Sequence, residues 1–291
     1  GTQKILVENR DILTARCDRE LVVTAVSARD KSKDRGIDLA GIHWCDDAAE
    51  LALRDDVDVV AELIGGEDGI AKSLVKAAIQ NGKHVVTANK ALLAHHGTTL
   101  ALAAEAGGVT LAFEAAVAGG IPIVKAMREG LAANQISRVY GILNGTCNYI
   151  LSEMRETGRD FADVLAEAQD LGYAEADPAF DIDGVDAAHK LALLTALAFG
   201  CEVDFGAVHV EGIRAISPLD IRFAEELGYR IKLLGLASRT ERGIEQRVHP
   251  SMVPMGAPIA HVEDVFNAVV ADGDFVDTTL FQGRGAGAGP T

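Results

Sequence analysis

The sequence has no run of about 18 apolar residues and no secretory leader, so nothing in it reads as a membrane span or an export signal. Its four cysteines, Cys17, Cys45, Cys147 and Cys201, fall at no CxxC spacing. That excludes a disulfide frame and a zinc site, and it points to free thiols in a reducing, cytoplasmic compartment. His95 and His96 are adjacent and cannot face one ligand from one side of a helix. Basic residues are scarce: 27 Lys and Arg against 43 Asp and Glu give a formal charge of -16. A chain of that sign is a poor partner for nucleic acid or for an anionic membrane surface. Anionic small molecules stay open, because they respond to local charge. Internal repeats and low-complexity linkers are lacking too. What is there is a 291-residue chain, 48% hydrophobic and 24% charged, the composition of a soluble globular protein with room for two domains.

Strand and helix patterns alternate in the first half. ELVVTAVSARD (20–30) reads as a strand and residues 47–54 as a short helix. VDVVAELIGG (57–66) reads as a buried parallel strand ending in Gly-Gly, and 71–80 as a helix. KHVVTANK (83–90) is a second such strand, 92–106 a helix, and VTLAFEAAVAGG (109–120) a strand entering a glycine turn. The alternation predicts an α/β, doubly wound, Rossmann-like domain over residues 1–120. Such a fold opens with a strand and a Gly-rich turn, whereas residues 4–16 read as the end of an amphipathic helix. The expectation is a fragment, with about 15 residues of the domain preceding this sequence.

From residue 121 the pattern changes. Helices are expected over IPIVKAMREGLAA, TCNYILSEMRETG, 161–171 and ISPLDIRFAEELG, and strands over SRVYGILNG and several runs after 228. Residues 121–291 therefore read as an α+β domain with an open, mostly antiparallel sheet. Within it, 172–190 (GYAEADPAFDIDGVDAAHK) gathers Glu175, Asp177, Asp181, Asp183 and Asp186 and ends on Lys190. Asp183 is the expected N-cap of the apolar helix that follows, with Asp186 in a capping-box position and Gly200 as its stop. Lys190 lies four residues after Asp186, on the same helix face. A calcium loop fails, because aligning Asp181, Asp183 and Gly184 puts Ala179 and Lys190 at its two acidic ends. Two readings stay open: a solvated acidic loop before a core helix, and a site for an ammonium-bearing substrate with Lys190 as acid/base.

The string from Ala168 to Lys190 has the form A-x3-G-Y-A-x2-D-P-x2-D-I-x-G-x-D-x3-K. It resembles the signature of the homoserine dehydrogenases at every defined position. VVTANK (85–90), FEAAVAGGIPI (113–123), LNGTCNYIL (143–151) and GRGAGAGPT (283–291) resemble other blocks of that family, in the family's order. The N-terminal glycine fingerprint and the family's C-terminal helix are not in this sequence. The resemblance implies interconversion of L-aspartate 4-semialdehyde and L-homoserine with NAD or NADP, in threonine, methionine and isoleucine biosynthesis.

Residue by residue, it implies Lys190 as proton donor to the alkoxide and Lys90 as a second candidate, beside cofactor and substrate. Glu175 and Asp186 are the matching positions for the substrate ammonium, and Asp181 would orient Lys190 or the substrate. Gly172 and Gly287 match backbone that approaches the cofactor, and Gly65 and Gly66 end a strand at the same edge. A tight turn is the alternative for that pair, and an exposed strand-end lysine is the alternative for Lys90. Glu114, with the carbonyls of Val117, Gly119 and Ile121, matches a sodium site; a hinge without metal is the alternative. Arg29 and Asp30 follow the second strand, where Asp favours NAD and Arg a 2′-phosphate. The N–H groups opening the helix at 144–148 are candidates for the substrate carboxylate. Sheet edges in the second half predict a homodimer. Two other functions stay open: a non-catalytic dimerisation or regulatory module, and a dehydrogenase of another amino-acid semialdehyde.

Overall fold

The computed structural model describes residues 1–287. The chain forms two compact units, one of residues 1–92 and 96–112, the other of 93–95 and everything from Phe113 onward.

The first unit opens with α1 (Thr2–Glu8) and α2 (Arg10–Cys17), broken at Asn9; neither helix buries a residue. The strand expected over 20–30 shrinks to β1 (Ala25–Val26), paired parallel with β2 (His43–Trp44). Only where a partner strand supplies ladder hydrogen bonds does the apolar run become sheet. A second sheet has the order β3 (Val59–Glu62), β4 (His84–Thr87), β5 (Leu111–Ala112), all parallel. Its crossovers are α3 (Ile70–Gln80) and α4 (Lys90–Ala106). Helix α3 buries Ala71, Leu74, Val75, Ala78 and Ile79, one stripe at 3.6-residue spacing, and packs on β3 and β4. The apolar runs of β3 and β4 were expected to be buried throughout. In the structure burial alternates: Val60, Glu62, Val85 and Thr87 face inward, while Val59, Ala61 and Val86 are exposed.

The second unit is built on a six-stranded sheet. Its strands are β6 (Ile136–Ile142), β7 (His209–Val210), β8 (Tyr229–Thr240), β9 (Gly243–Pro254), β10 (Phe266–Gly273) and β11 (Asp277–Arg284). They lie in the order β11-β10-β6-β8-β9-β7, antiparallel except for β7 against β9. The helices are α5 (Ile123–Lys125), continued by a wider turn over Ala126–Gly130, then α6 (Gly145–Thr157), α7 (Phe161–Asp170), α8 (Ala179–Ile182), α9 (Val185–Phe199) and α10 (Pro218–Glu226).

Register decides which helix covers which face, because residues opposite each other in a ladder point to the same side. Val269, Gly141, Gly235 and Val248 are opposite one another across β10, β6, β8 and β9. A Cβ on Gly235 would meet Leu143 at 2.8 Å and Leu191 at 3.5 Å, so this is the face that α9 covers. The other face carries Ile142, Leu234, Val253, Ala268 and Val270 in one apolar cluster. Helices α6 and α10 pack on β8, and α6 also packs on β10.

The helix ends follow local chemistry, with one correction. Asp183 is not the N-cap of α9: Gly184 holds that position in a left-handed conformation (φ 85°), and the Asp183 carboxylate pairs with Arg214. A carboxylate with a guanidinium in reach gains more from a forked ion pair than from one backbone N–H. Gly200 does end α9, at φ 64°. Helix α10 starts with a capping box between Ser217 and Asp220.

Candidate active site

In the first unit the ends of β3 and β4 are tied together by one buried carboxylate. Glu62, fully buried, accepts from the N–H groups of Ile64 (2.7 Å) and Gly65 (3.1 Å) and from the Thr87 hydroxyl (2.6 Å). Thr87 Oγ1 accepts from the Asn89 N–H (2.9 Å). Asn89 donates to the Gly66 carbonyl (2.8 Å) and accepts from Leu92 N–H (3.0 Å), capping the helix whose first residue is Lys90. Gly65 and Gly66, both at φ 85°, are exposed in the turn so held, and Lys90 is half-buried. Thr87 and Asn89 thus shape this turn. Glu62 was missed; its signal was a lone acid inside an apolar strand just before Gly-Gly. Arg29 is exposed beyond β1, while Asp30 accepts from the N–H (2.8 Å) and hydroxyl (2.6 Å) of Ser32.

In the second unit the N-termini of α6 and α9, from opposite faces of the sheet, meet at the end of β6. Lys190 is 8% exposed and donates to the Leu143 carbonyl and to Asp186 Oδ2, each at 2.8 Å. Asp186, 3% exposed, also accepts from the Asn144 amide at 2.8 Å. The same Asn144 nitrogen donates to Asp181 Oδ1 at 2.8 Å, and Asn144 Oδ1 accepts from Cys147 N–H at 2.8 Å. One side chain thus caps α6 and bridges two carboxylates. Its two amide protons offset part of the repulsion that draws Asp181 and Asp186 apart. Asp181 is half-buried and within 3.4 Å of the Thr146 hydroxyl, which itself donates to the Tyr173 carbonyl. Burial pushes the Cys147 thiol well up, and the nearby Asp181 and Asp186 push the same way, so that sulfur stays protonated.

An ammonium carries three protons. Two of those on Lys190 are committed, one to a neutral carbonyl and one to a carboxylate, and with no third partner among the described residues the remaining proton is left to serve a ligand. Asp186 therefore acts first as the partner of Lys190. Glu175 is exposed, with its carbonyl taken by Gln169 (3.0 Å). Gly172 lies after α7 at φ 75°. Of the helix opening at 144–148, Asn148 turns to the other face of the sheet and holds the carbonyls of Val262, Asp264 and Phe266.

Near the end of β11, Gly119 and Gly120 donate to the carbonyls of Gly285 (2.9 Å) and Arg284 (3.0 Å). This strap brings the turn holding Val117, Gly119 and Ile121 against the segment that leads to Gly287 (φ 120°). Residues 288–291 of the GRGAGAGPT block lie outside the described residues. Both oxygens of Glu114 accept backbone N–H groups, from Val124 (2.9 Å) and Lys125 (3.0 Å). The carboxylate is thus anchored to the start of α5.

Comparisons with known proteins give the family. Residues 122–291 match the sequence profile described as homoserine dehydrogenase, and residues 4–114 match its NAD binding domain. The chain belongs to the homoserine dehydrogenase family. It is 53% identical to the homoserine dehydrogenase of Neisseria gonorrhoeae and 52% identical to that of Pseudomonas aeruginosa, over all of this chain and 66% of each of those proteins. The crystal structure of a homoserine dehydrogenase from Thiobacillus denitrificans superposes with a TM-score of 0.96 at 52% identity. That match covers 99% of this chain and 67% of the other. The chain thus spans 66% of the length of the curated homoserine dehydrogenases named here. Arg29, Gly65, Gly66 and Lys90 fall in the stretch matching the family's NAD binding domain. Gly172, Glu175, Asp181, Asp186, Lys190 and Gly287 fall in the stretch matching the homoserine dehydrogenase profile.

Proposed function

We propose that the protein carrying this chain is an NADP- or NAD-dependent homoserine dehydrogenase, interconverting L-aspartate 4-semialdehyde and L-homoserine. Residues 1–120 serve as its nucleotide-binding domain and 121–291 as its catalytic and dimerisation domain. The observation that carries this reading is the Lys190 ammonium, fixed by Leu143 and Asp186 with one proton uncommitted, among carboxylates suited to a substrate ammonium.

A nicotinamide fits the first unit: the Glu62 network holds an exposed glycine turn at the carboxyl edge of a parallel sheet, where such folds take their ligands. Within that unit Gly65, Gly66, Lys90 and Arg29 would hold it. When bound and reduced, it supplies a hydride to the aldehyde carbon. The alkoxide oxygen then needs a proton, and Lys190 donates it. Asp186 and the Leu143 carbonyl keep Lys190 aimed, Asp181 and Glu175 take the substrate ammonium, and Lys90 is the alternative donor. Arg29 is exposed while Asp30 is engaged by Ser32, which supports a 2′-phosphate reader and hence NADP. The sodium reading rests on the carbonyls of Val117, Gly119 and Ile121; the Glu114 side chain is already committed to Val124 and Lys125. A homodimer is supported by the eight-residue edge strand β11, and light scattering giving a dimer mass tests it. The free thiols of Cys17, Cys45, Cys147 and Cys201 support a cytoplasmic setting, serving threonine, methionine and isoleucine biosynthesis.

Steady-state kinetics of Lys190→Ala, with homoserine and cofactor varied separately, tests the central role. The expected result is a fall in kcat of about 10²–10⁴-fold with cofactor KM near normal. Wild-type kcat in that variant transfers the role to Lys90. Glu175→Gln should raise the homoserine KM, since an ammonium partner acts in ground and transition states alike.

A further inference from the structure

Asn267, on β10, is 1% exposed, and neither its side-chain oxygen nor its side-chain nitrogen has a hydrogen-bond partner among the described residues. A buried amide left without partners is costly, and native proteins supply such groups with water or ligand. The ladder fixes where it lies. Asn267 is opposite Gly283 of β11 and two residues before Val269, so it faces the side of the sheet that α9 covers. The last pair of β10 with β6 is Ala268 with Ile142, which sets Asn267 beside Leu143, the residue whose carbonyl holds Lys190. Adjacent strands lie about 5 Å apart, so the two positions are direct neighbours. On the other side Ile121 packs over Gly283, and a Cβ on Gly285 would collide with the Asn267 carboxamide. The amide therefore lies in a seam bounded by Leu143, Ile121 and Gly285, and no side chain among the described residues fills its donor or its acceptor.

We propose that Asn267 is a further substrate-side residue of the Lys190 site, taking the paired donor and acceptor of an amino-acid end, directly or through one ordered water. A zwitterionic amino acid offers both complements at once, an ammonium donor and a carboxylate acceptor. This rests on the reading of the site as one for L-homoserine.

The test compares Asn267→Leu, an apolar side chain of similar size, with the wild-type enzyme in homoserine kinetics and in homoserine-induced thermal shift. Loss of such a contact should raise the homoserine KM about 10–100-fold and shrink the thermal shift, with cofactor KM within about twofold. The unliganded Tm should not fall, because replacing an unpartnered buried amide by an apolar group is neutral or stabilising. Unchanged KM with a raised Tm overturns the proposal, since it identifies the amide as a packing residue only. Should Asn267→Leu not fold, the isosteric Asn267→Asp is measured across pH. A homoserine KM that rises as the new carboxylate ionises supports the proposal, and a wild-type KM throughout overturns it. Thermal shift with 3-aminopropan-1-ol, which keeps the ammonium and lacks the carboxylate, separates the two ends of the contact. A penalty that disappears marks the carboxylate as the partner of Asn267, and one that persists marks the ammonium; both uphold the residue's role. If the wild type neither binds nor oxidises homoserine, the functional reading and this one fall together. If it does and Asn267→Leu matches it, this one falls alone.

Discussion

Two lysines are buried on opposite faces of the same sheet, and α6 serves both. Asn144, the cap of α6, reaches the carboxylates around Lys190; Asn148, one turn later, accepts from Lys232 Nζ at 3.0 Å. Lys232 is 1% exposed and also donates to the Val262 carbonyl (2.7 Å) and to Glu263 (3.2 Å). All three of its protons are therefore committed. Glu263 further pairs with Arg155 and Arg230 and accepts from the Ser152 hydroxyl. Burial lowers the Lys232 ammonium to about 8 against the pull of Glu263. Burial acts on Glu263 too, in the raising direction, but Lys232, Arg155 and Ser152 outweigh it and hold the carboxyl near 2. One cluster is closed, with three cations on one acid; the other has one ammonium, two bridged acids and a proton to spare. The residue types barely differ. Saturation separates a lysine that holds the fold from one that can act on a ligand.

If that contrast is sound, substitutions on the two faces should fail in different ways. The largest effect expected is Lys190→Ala, a loss of about 10²–10⁴ in kcat of the folded enzyme, on top of the stability lost when the buried Asp186 carboxylate is left without its ammonium; Lys190→Arg should not restore kcat, because a guanidinium stays protonated. Glu263→Gln should touch stability alone. It strands Lys232 beside two guanidiniums and should destabilise the fold by about 3 kcal/mol, read by urea denaturation, with kcat of the folded enzyme kept. Acid sharpens the same point. The folded value near 2 lies below the ordinary 4.5, so the stabilisation from Glu263 is complete above pH 4.5 and is lost as pH falls through 2. About 2 kcal/mol should disappear across that window in the wild type, after allowance for partial exposure, and not in Glu263→Gln. Asn144→Ala joins both kinds of failure: about 1–2 kcal/mol from the lost cap, together with a raised homoserine KM as Asp181 and Asp186 lose their bridge. Ser217→Ala, far from either lysine in sequence, should cost about 1 kcal/mol by thermal melting and leave the kinetics untouched.

Much of this was legible in the chain. The long signature ending at Lys190 and the helix over 185–199 with its glycine stop depend on neighbours within a few residues, so their spacing carries the information. Sequence also set the sheet type of each half, through alternation of elements in the first and runs of strand in the second. Other features were decided by tertiary structure alone. Asp183 lost its capping role because Arg214, 31 residues away, lies in reach. Leu143 holds Lys190 through a backbone carbonyl, which no side-chain pattern reveals. Glu62 and Glu263 became hubs because strands distant in sequence brought donors to them, and Asn267 became a buried, unpartnered amide because of its ladder register. A pattern of residue types encodes what a side chain can do locally. Which of its protons and lone pairs remain uncommitted is set only when the whole sheet has closed around it.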